Sequence, residues 1–268
     1  MNDRSSILVS ANKLFLSYEP RNWFSGAPKN WAVQDVSLDI RRGEVFGVVG
    51  ESGSGKSSLG RMMMRLEKPT SGEITFEGKP MPAAHSAEMR SLRRRIQMVF
   101  QDPYASLDPR RRVGAQIADG LRLYRSELDA KGRQREVEQL LERVGLPTDF
   151  YTRMPHELSG GQRQRVAIAR ALAPKPDFIV ADEPVSALDV SIQAQIVNLF
   201  SQLQREFGLT IMFISHDLHV VRKLCDRVAV MQNGRIVEQA ETEELFHRPK
   251  ADYTRTLMDA APLMPVMS

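Results

Sequence analysis

The sequence predicts an α/β fold with a mainly parallel sheet, an N-terminal antiparallel β subdomain and an inserted helical subdomain. Three observations carry this. The runs VFGVV, FIVA and TIMFI are short and almost wholly apolar, as strands buried on both faces are. Helix-forming sequence follows each of them, and parallel neighbours need such crossovers. The alternation is suspended over about residues 102–160, where the turn chemistry of DPYASLDPR gives way to helical spacing at Val137, Leu140, Leu141 and Val144, until GLPTDF breaks the pattern.

In chain order, ILVSANKLFLSY and WAVQDVSLDI read as two strands of a hairpin, the second alternating at Val33, Val36, Leu38 and Ile40. Between them EPRNWFSGAPKN, residues 19–30, has two prolines and a glycine among polar residues and reads as an inserted loop. A buried strand with Val45, Phe46, Val48 and Val49 stops at Gly50, and a helix is expected from Ser57 to Leu66. GEITFEG at 72–78 and IQMVFQ at 96–101 are further strands. Beyond the helical region the pattern predicts helix 162–173, strand 178–181, helix 190–207, strand 209–214, helix 217–224 and strand 227–231. NGRIVEQ then reads as a turn and strand, before a mixed tail of about thirty residues.

Composition narrows the function classes. At 268 residues and 42% hydrophobic content there is room for one α/β domain with a subdomain, not two. MNDRSSILVS has no basic leader with an apolar core, and no run approaches the ~18 apolar residues of a membrane span, so a cytoplasmic chain is expected. The single cysteine, Cys225 in VVRKLCDRVAVM, excludes an internal disulfide and reads as a small core residue. Net charge is +4, with arginine runs at Arg90–Arg95 and Arg110–Arg112. No aromatic platform is interleaved with them, so they read as solvated surface and no nucleic-acid partner is expected.

The chemistry is organised around GEVFGVVGESGSGKSSLG, residues 43–60. From Gly50 to Ser57 the pattern is G-x-x-x-x-G-K-S, with a further glycine at Gly53, so the backbone can curl and aim successive N–H groups at one anion. The helix that follows adds free N–H groups and the positive end of its dipole. Lys56 is placed to reach the β- and γ-phosphates of a nucleotide, and the Ser57 hydroxyl to complete a Mg²⁺ shell.

In open parallel sheets ligands lie beyond the carboxyl ends of the strands. Asp182 and Glu183 follow FIVA there, Ser215, His216 and Asp217 follow IMFI, and Gln101 follows IQMVF. Asp182 is assigned to Mg²⁺, directly or through water, and Glu183 to the attacking water as general base. His216 can donate to a γ-phosphate oxygen, and Gln101 can contact both metal and water. A second anion-ready helix start lies at Ser159, Gly160 and Gly161, within LSGGQRQRVAIARAL. The spacing leaves open whether it meets the nucleotide of its own chain or of another.

LSGGQ ahead of FIVADE, with GESGSGKSS before it, SALD after it and a later SHD, resembles the ATP-binding cassette family over nearly the whole chain. FQDPYASLDPR and the tail FHRPKADYTRTLMDAAP resemble more narrowly the ATPase subunits of peptide and nickel importers. The resemblance implies a P-loop NTPase core over residues 1–235 and a tail of peptide-importer type over 236–268. It implies ATP and Mg²⁺ as ligands, with Gly50, Glu51, Ser52, Gly53 and Ser54, then Gly55, Lys56, Ser57 and Ser58, as Walker A. Gln101 becomes the Q-loop, and Leu158, Ser159, Gly160, Gly161 and Gln162 the signature. Asp182 and Glu183 are the Walker B pair, Asp189 the D-loop and His216 the switch histidine.

In the family two cassettes sandwich two ATP molecules, each signature completing the partner's site. The implied partners are therefore a second cassette, identical or paralogous, two transmembrane permease subunits and, indirectly, an extracytoplasmic solute-binding protein. The implied location is the cytoplasmic face of the inner membrane, as a peripheral subunit. Family cassettes stack adenine on an aromatic shortly after the first strand; Tyr18 fits that place, with Trp31 as the alternative. The cysteine-rich tail of some relatives has no counterpart, so no iron–sulfur cluster is expected. Peptide uptake is the expected activity, with nickel as another solute. The rival is a soluble ATPase of a non-transport complex, such as one for phosphonate degradation.

Overall fold

The computed structural model describes residues 6–19 and 30–260. Most of the inserted loop read at 19–30 and the last eight residues of the tail lie outside them. The chain clusters into two compact units, one running to Ala84 and resuming at Met212, the other comprising His85–Ile211.

The first unit contains the antiparallel sheet. β1 (Ile7–Leu16) pairs with β2 (Val33–Arg41) on one side and β4 (Ser71–Phe76) on the other, and β5 (Lys79–Pro80) extends the edge beyond β4. Val33, Val36, Leu38 and Ile40 are all buried, as their alternation predicts. Val33 and Val36 are three apart, an odd spacing for one face. Asp35 reconciles them: its φ of 52° marks an irregularity where the ladder slips, returning Val36 to the inner face.

The same unit carries β3 (Val45–Val49), parallel to β9 (Arg227–Gln232) with Val48 opposite Ala229. β10 (Arg235–Glu241) folds back on β9 through Asn233-Gly234, whose φ values of 48° and 79° suit a two-residue hairpin turn. β8 (Thr210–Ile214) spans the division between the units, and just past it the Ser215 N–H donates to the Val48 carbonyl at 3.1 Å. β3 and β8 are buried at every position, as continuous apolar runs predict, and each large apolar side chain taken from water contributes about 1.5–3 kcal/mol.

α8 (Leu218–Leu224) lies close over β3, since a Cβ at Gly47 would sit 3.0 Å from both Cys225 Sγ and Val221 Cγ1. Cys225 is thus a core residue, and burial, with the Asp226 and Glu44 carboxylates behind it, pushes its thiol pKa well up. α1 (Lys56–Met63) stops short of the predicted Leu66. Arg65 turns left-handed (φ 53°), and the Leu66 and Arg65 N–H groups return to the Arg61 and Met62 carbonyls at 2.9 and 2.8 Å, a Schellman stop that the helical pattern did not reveal. The tail forms α9 (Thr242–His247) and α10 (Asp252–Asp259).

The second unit holds α2 (Ala87–Leu92), β6 (Ile96–Val99), α3 (Pro103–Ser106), α4 (Val113–Tyr124), α5 (Ala130–Arg143), α6 (Gly160–Leu172), β7 (Phe178–Asp182) and α7 (Val190–Phe207). β6 and β7 are parallel, Val99 opposite Ala181. The Asp129 carboxylate caps α5 by accepting from the Gly132 N–H at 2.7 Å, and Val137, Leu140, Leu141 and Val144 are buried.

The arginine runs are less free than a purely solvated surface. Arg95 pairs with Asp177 at 2.5 Å, and Arg111 grips both carboxylate oxygens of Asp119 at 2.7 and 2.9 Å. α2, capped by Ser86, carries the first residues of the Arg90–Arg95 run and was not anticipated. Among the described residues no helix is long and apolar enough to cross a membrane.

Candidate active site

The loop after β3 is shaped by close approach as much as by glycine freedom. A Cβ at Gly50 (φ 149°) would lie 2.1 Å from the Met231 carbonyl oxygen, and one at Gly55 (φ 102°) 2.2 Å from that of Ala32. The loop rests on the β9–β10 turn, whose Gly234 N–H donates to the Ser54 carbonyl at 3.0 Å, while the Gly234 carbonyl accepts from the Gln34 N–H at 2.7 Å. Two distant segments, residues 32–34 and 231–234, therefore brace the curl.

Lys56 is the first residue of α1 and only 4% exposed. Its ammonium donates to the Gly50 and Glu51 carbonyls at 2.8 Å each, which fixes the cation over the loop. Ser57 and Ser58 are half-buried in the first turn of α1, whereas Glu51, Ser52 and Gly53 are exposed along the curl. A cation and a helix start behind a glycine-rich curl make a candidate anion cradle.

Tyr18 stands beside it. Its phenol hydrogen-bonds the Ser58 hydroxyl at 3.1 Å and its side chain is 58% exposed, leaving a ring face open. Trp31 instead packs edge-on against Phe15, centroids 5.3 Å apart at 71°. This favours Tyr18 for stacking. Tyr18→Ala is expected to weaken ATP binding by about 1–3 kcal/mol in equilibrium titration. Should Trp31→Ala weaken it and Tyr18→Ala not, the stacking role moves to Trp31.

In the second unit the register of β6 on β7 sets the chemistry. Val99 opposes Ala181, so two residues on Gln101 meets Glu183, and the Gln101 amide donates to the Glu183 carboxylate at 3.3 Å. Asp182 ends β7 at 3% exposure. Glu183 is left-handed (φ 45°), a conformation costing a non-glycine residue about 1–3 kcal/mol, and the Ser186 N–H and hydroxyl hold its carbonyl at 3.3 and 3.1 Å. Strain supported in this way re-aims a carboxylate off the strand end.

Ser159 caps α6: its hydroxyl accepts from the Gln162 N–H at 3.3 Å, and the Gln162 side chain accepts from the Ser159 N–H at 2.9 Å. The helix begins at Gly160, two residues before the predicted 162. This box leaves the Gly160 and Gly161 N–H groups, first in the helix, without intrahelical acceptors. Sequence reasoning missed how α6 is tied to the segment after Gln101. The Arg163 guanidinium stacks 3.8 Å from the Tyr104 ring centre while donating to the Pro155 carbonyl at 2.7 Å, and Arg170 donates to the Ser106 carbonyl. Only the exposed aromatic in DPYASLDPR hinted at this.

His216 is exposed just past β8. Its neighbour Asp217 is structural, capping α8 by accepting from the His219 and Val220 N–H groups at 2.8 and 3.3 Å. Asp189 stands at the N-cap of α7, where its carbonyl accepts from the Ile192 and Gln193 N–H groups at 2.9 Å.

Among the described residues no group of three or more His, Cys, Asp or Glu side chains forms a protein-only metal cage. Each predicted donor, the Ser57 hydroxyl in the first unit and the Gln101 amide and Asp182 carboxylate in the second, is a hard oxygen of the kind that suits Mg²⁺.

A family model described as ABC transporter matches residues 33–186. A putative peptide import ATP-binding protein of Brucella ovis is 54% identical over 86% of this chain and 72% of its own length. The oligopeptide transport ATP-binding protein OppF of Bacillus subtilis is 52% identical over 87% and 76%. Among solved structures, cbiO1 of Clostridium perfringens, part of an ABC transporter complex, is 32% identical with a TM-score of 0.79, covering 91% of this chain and 92% of that one. A dimeric ATP-binding cassette in a post-hydrolysis state with ADP and Pi is 31% identical with a TM-score of 0.78, covering 88% of this chain and 99% of that one.

Proposed function

The chain belongs to the ABC transporter family and is an ABC ATPase, and we propose that it couples MgATP hydrolysis to uptake of di- or oligopeptides through two separate permease subunits. The observation that carries the substrate class is the 50–54% identity to proteins named for peptide or oligopeptide transport. It works as a pair of cassettes at the cytoplasmic face of the membrane, with an extracytoplasmic binding protein delivering the solute. The dimeric form of the related cassette supports the pairing.

In this reading the adenine stacks on Tyr18, and the loop from Gly50 through Ser58 with Lys56 binds the phosphates. Ser57, Gln101 and Asp182 hold Mg²⁺, which supplies neutralisation of phosphate charge. Glu183 orients the attacking water and takes its proton as the new P–O bond forms and the bond from the γ-phosphorus to the β–γ bridging oxygen breaks, that oxygen leaving on ADP. His216 donates to a γ-phosphate oxygen, and Ser159, Gly160, Gly161 and Gln162 present their helix start to the partner's nucleotide. Phosphoryl transfer asks mainly for positioning and neutralisation, so Glu183 needs little change in basicity.

Deleting the gene tests the transport role. Uptake of a labelled tripeptide is expected to fall to background and to return on complementation, with nickel uptake unchanged. Loss of nickel uptake alone would reassign the solute, and unchanged uptake of both, with ATPase activity intact, would move the protein to a non-transport complex.

A further inference from the structure

The cradle is held from outside by the tail. The Tyr253 phenol oxygen in α10 accepts from the Glu51 backbone N–H at 3.3 Å, across 202 positions of sequence. The carbonyl of that same peptide unit, Gly50 O, accepts from the Lys56 ammonium at 2.8 Å. One peptide is thus gripped at both ends, by the tail at its N–H and by the cradle cation at its C=O. Gly50 has no Cβ to restrict rotation, so a hydrogen bond from outside the loop helps to fix this peptide.

The tail is anchored well enough to serve. Glu238 of β10, 8% exposed, accepts from the Lys250 and Ala251 N–H groups at 2.8 and 2.9 Å, one on each carboxylate oxygen. Burial alone would raise its pKa; the hydrogen bonds from the start of α10 and the Lys250 charge outweigh that and hold it below the usual carboxylate range. The Arg255 guanidinium donates to the Pro249 and Lys250 carbonyls at 3.1 and 3.0 Å, and Thr254 is fully buried. The turn before α10 and its first residues are therefore pinned.

We propose that Tyr253 is a positioning residue for the nucleotide cradle, and that docking of α10 is a condition of full ATP affinity. Through the Gly50–Glu51 peptide, the tail sets where Lys56 is held to meet the phosphates. Loss of the phenol frees that peptide to rotate and loosens one of the two carbonyls on which Lys56 rests. The proposal relies on the ATP-binding reading of this loop.

Calorimetric titration with MgATP tests both, using the wild-type chain, Lys56→Ala, Tyr253→Phe and Glu238→Gln. Tyr253→Phe keeps the ring and is expected to weaken affinity about three- to tenfold, the range of one neutral hydrogen bond. KM for ATP should rise with kcat nearly unchanged, and amide exchange at Glu51 should quicken, while the melting temperature stays put. Wild-type affinity in Tyr253→Phe overturns the proposal. If that variant melts below the assay temperature, Glu238→Gln, which loosens the start of α10 and spares Tyr253, decides instead: weaker affinity supports the proposal and unchanged affinity overturns it. Equal binding by wild type and Lys56→Ala would sink the nucleotide reading itself, a different result from a failure at Tyr253.

Discussion

Glu183→Gln is expected to lower ATP turnover by about 10²- to 10⁴-fold while leaving MgATP binding intact. The amide matches the carboxylate in size, so the left-handed turn and its support from Ser186 persist. What disappears is the acceptor for the proton of the attacking water. The Gln101 amide 3.3 Å away loses its charged partner, but a neutral carbonyl oxygen can still accept there. Single-turnover hydrolysis beside nucleotide titration separates the two effects, and gel filtration with ATP should show a trapped dimer. Hydrolysis at the wild-type rate would remove Glu183 as the base.

Lys56→Ala is expected to act one step earlier, on binding. It removes the cation from a cluster of phosphate charges, and charge-assisted hydrogen bonds are worth about 1.5–3 kcal/mol each, so affinity should fall at least tenfold. The variant also offers a test of the two-chain site. Lys56→Ala and Ser159→Arg chains should each be inactive as homodimers, but a mixed dimer has one site with an intact cradle and an intact signature. Partial recovery of ATPase activity on mixing is the expected result. An ATP-bound dimer with Ser159 nearest its own chain's γ-phosphate would end the trans assignment. If the natural partner is a paralogous cassette, one substitution goes into each paralogue.

Much of this was readable in advance because it is local. The G-x-x-x-x-G-K-S loop is specified by residues that touch within a few positions, as when Lys56 reaches the Gly50 and Glu51 carbonyls. The all-buried β3, β7 and β8 announce themselves as apolar runs, and Ser159 with Gln162 forms a cap legible from its spacing. Helix ends were less legible. Arg65 enters a left-handed stop that glycine usually fills, so nothing in its residue type marked the end of α1.

The sequence alone determined the order of the longer strands, the glycine-rich loop and the acids at strand ends, because backbone preference and burial period are properties of short windows. Only the tertiary structure decided which residues from separate windows meet. The β6–β7 register set Gln101 against Glu183, Trp31 packed edge-on against Phe15 while the Tyr18 phenol met the Ser58 hydroxyl, and docking of α10 brought Tyr253 to the Glu51 N–H. Such a hydrogen bond forms only after strand register and tail docking have been fixed by many other contacts, and its two partners carry no mark of each other in the chain.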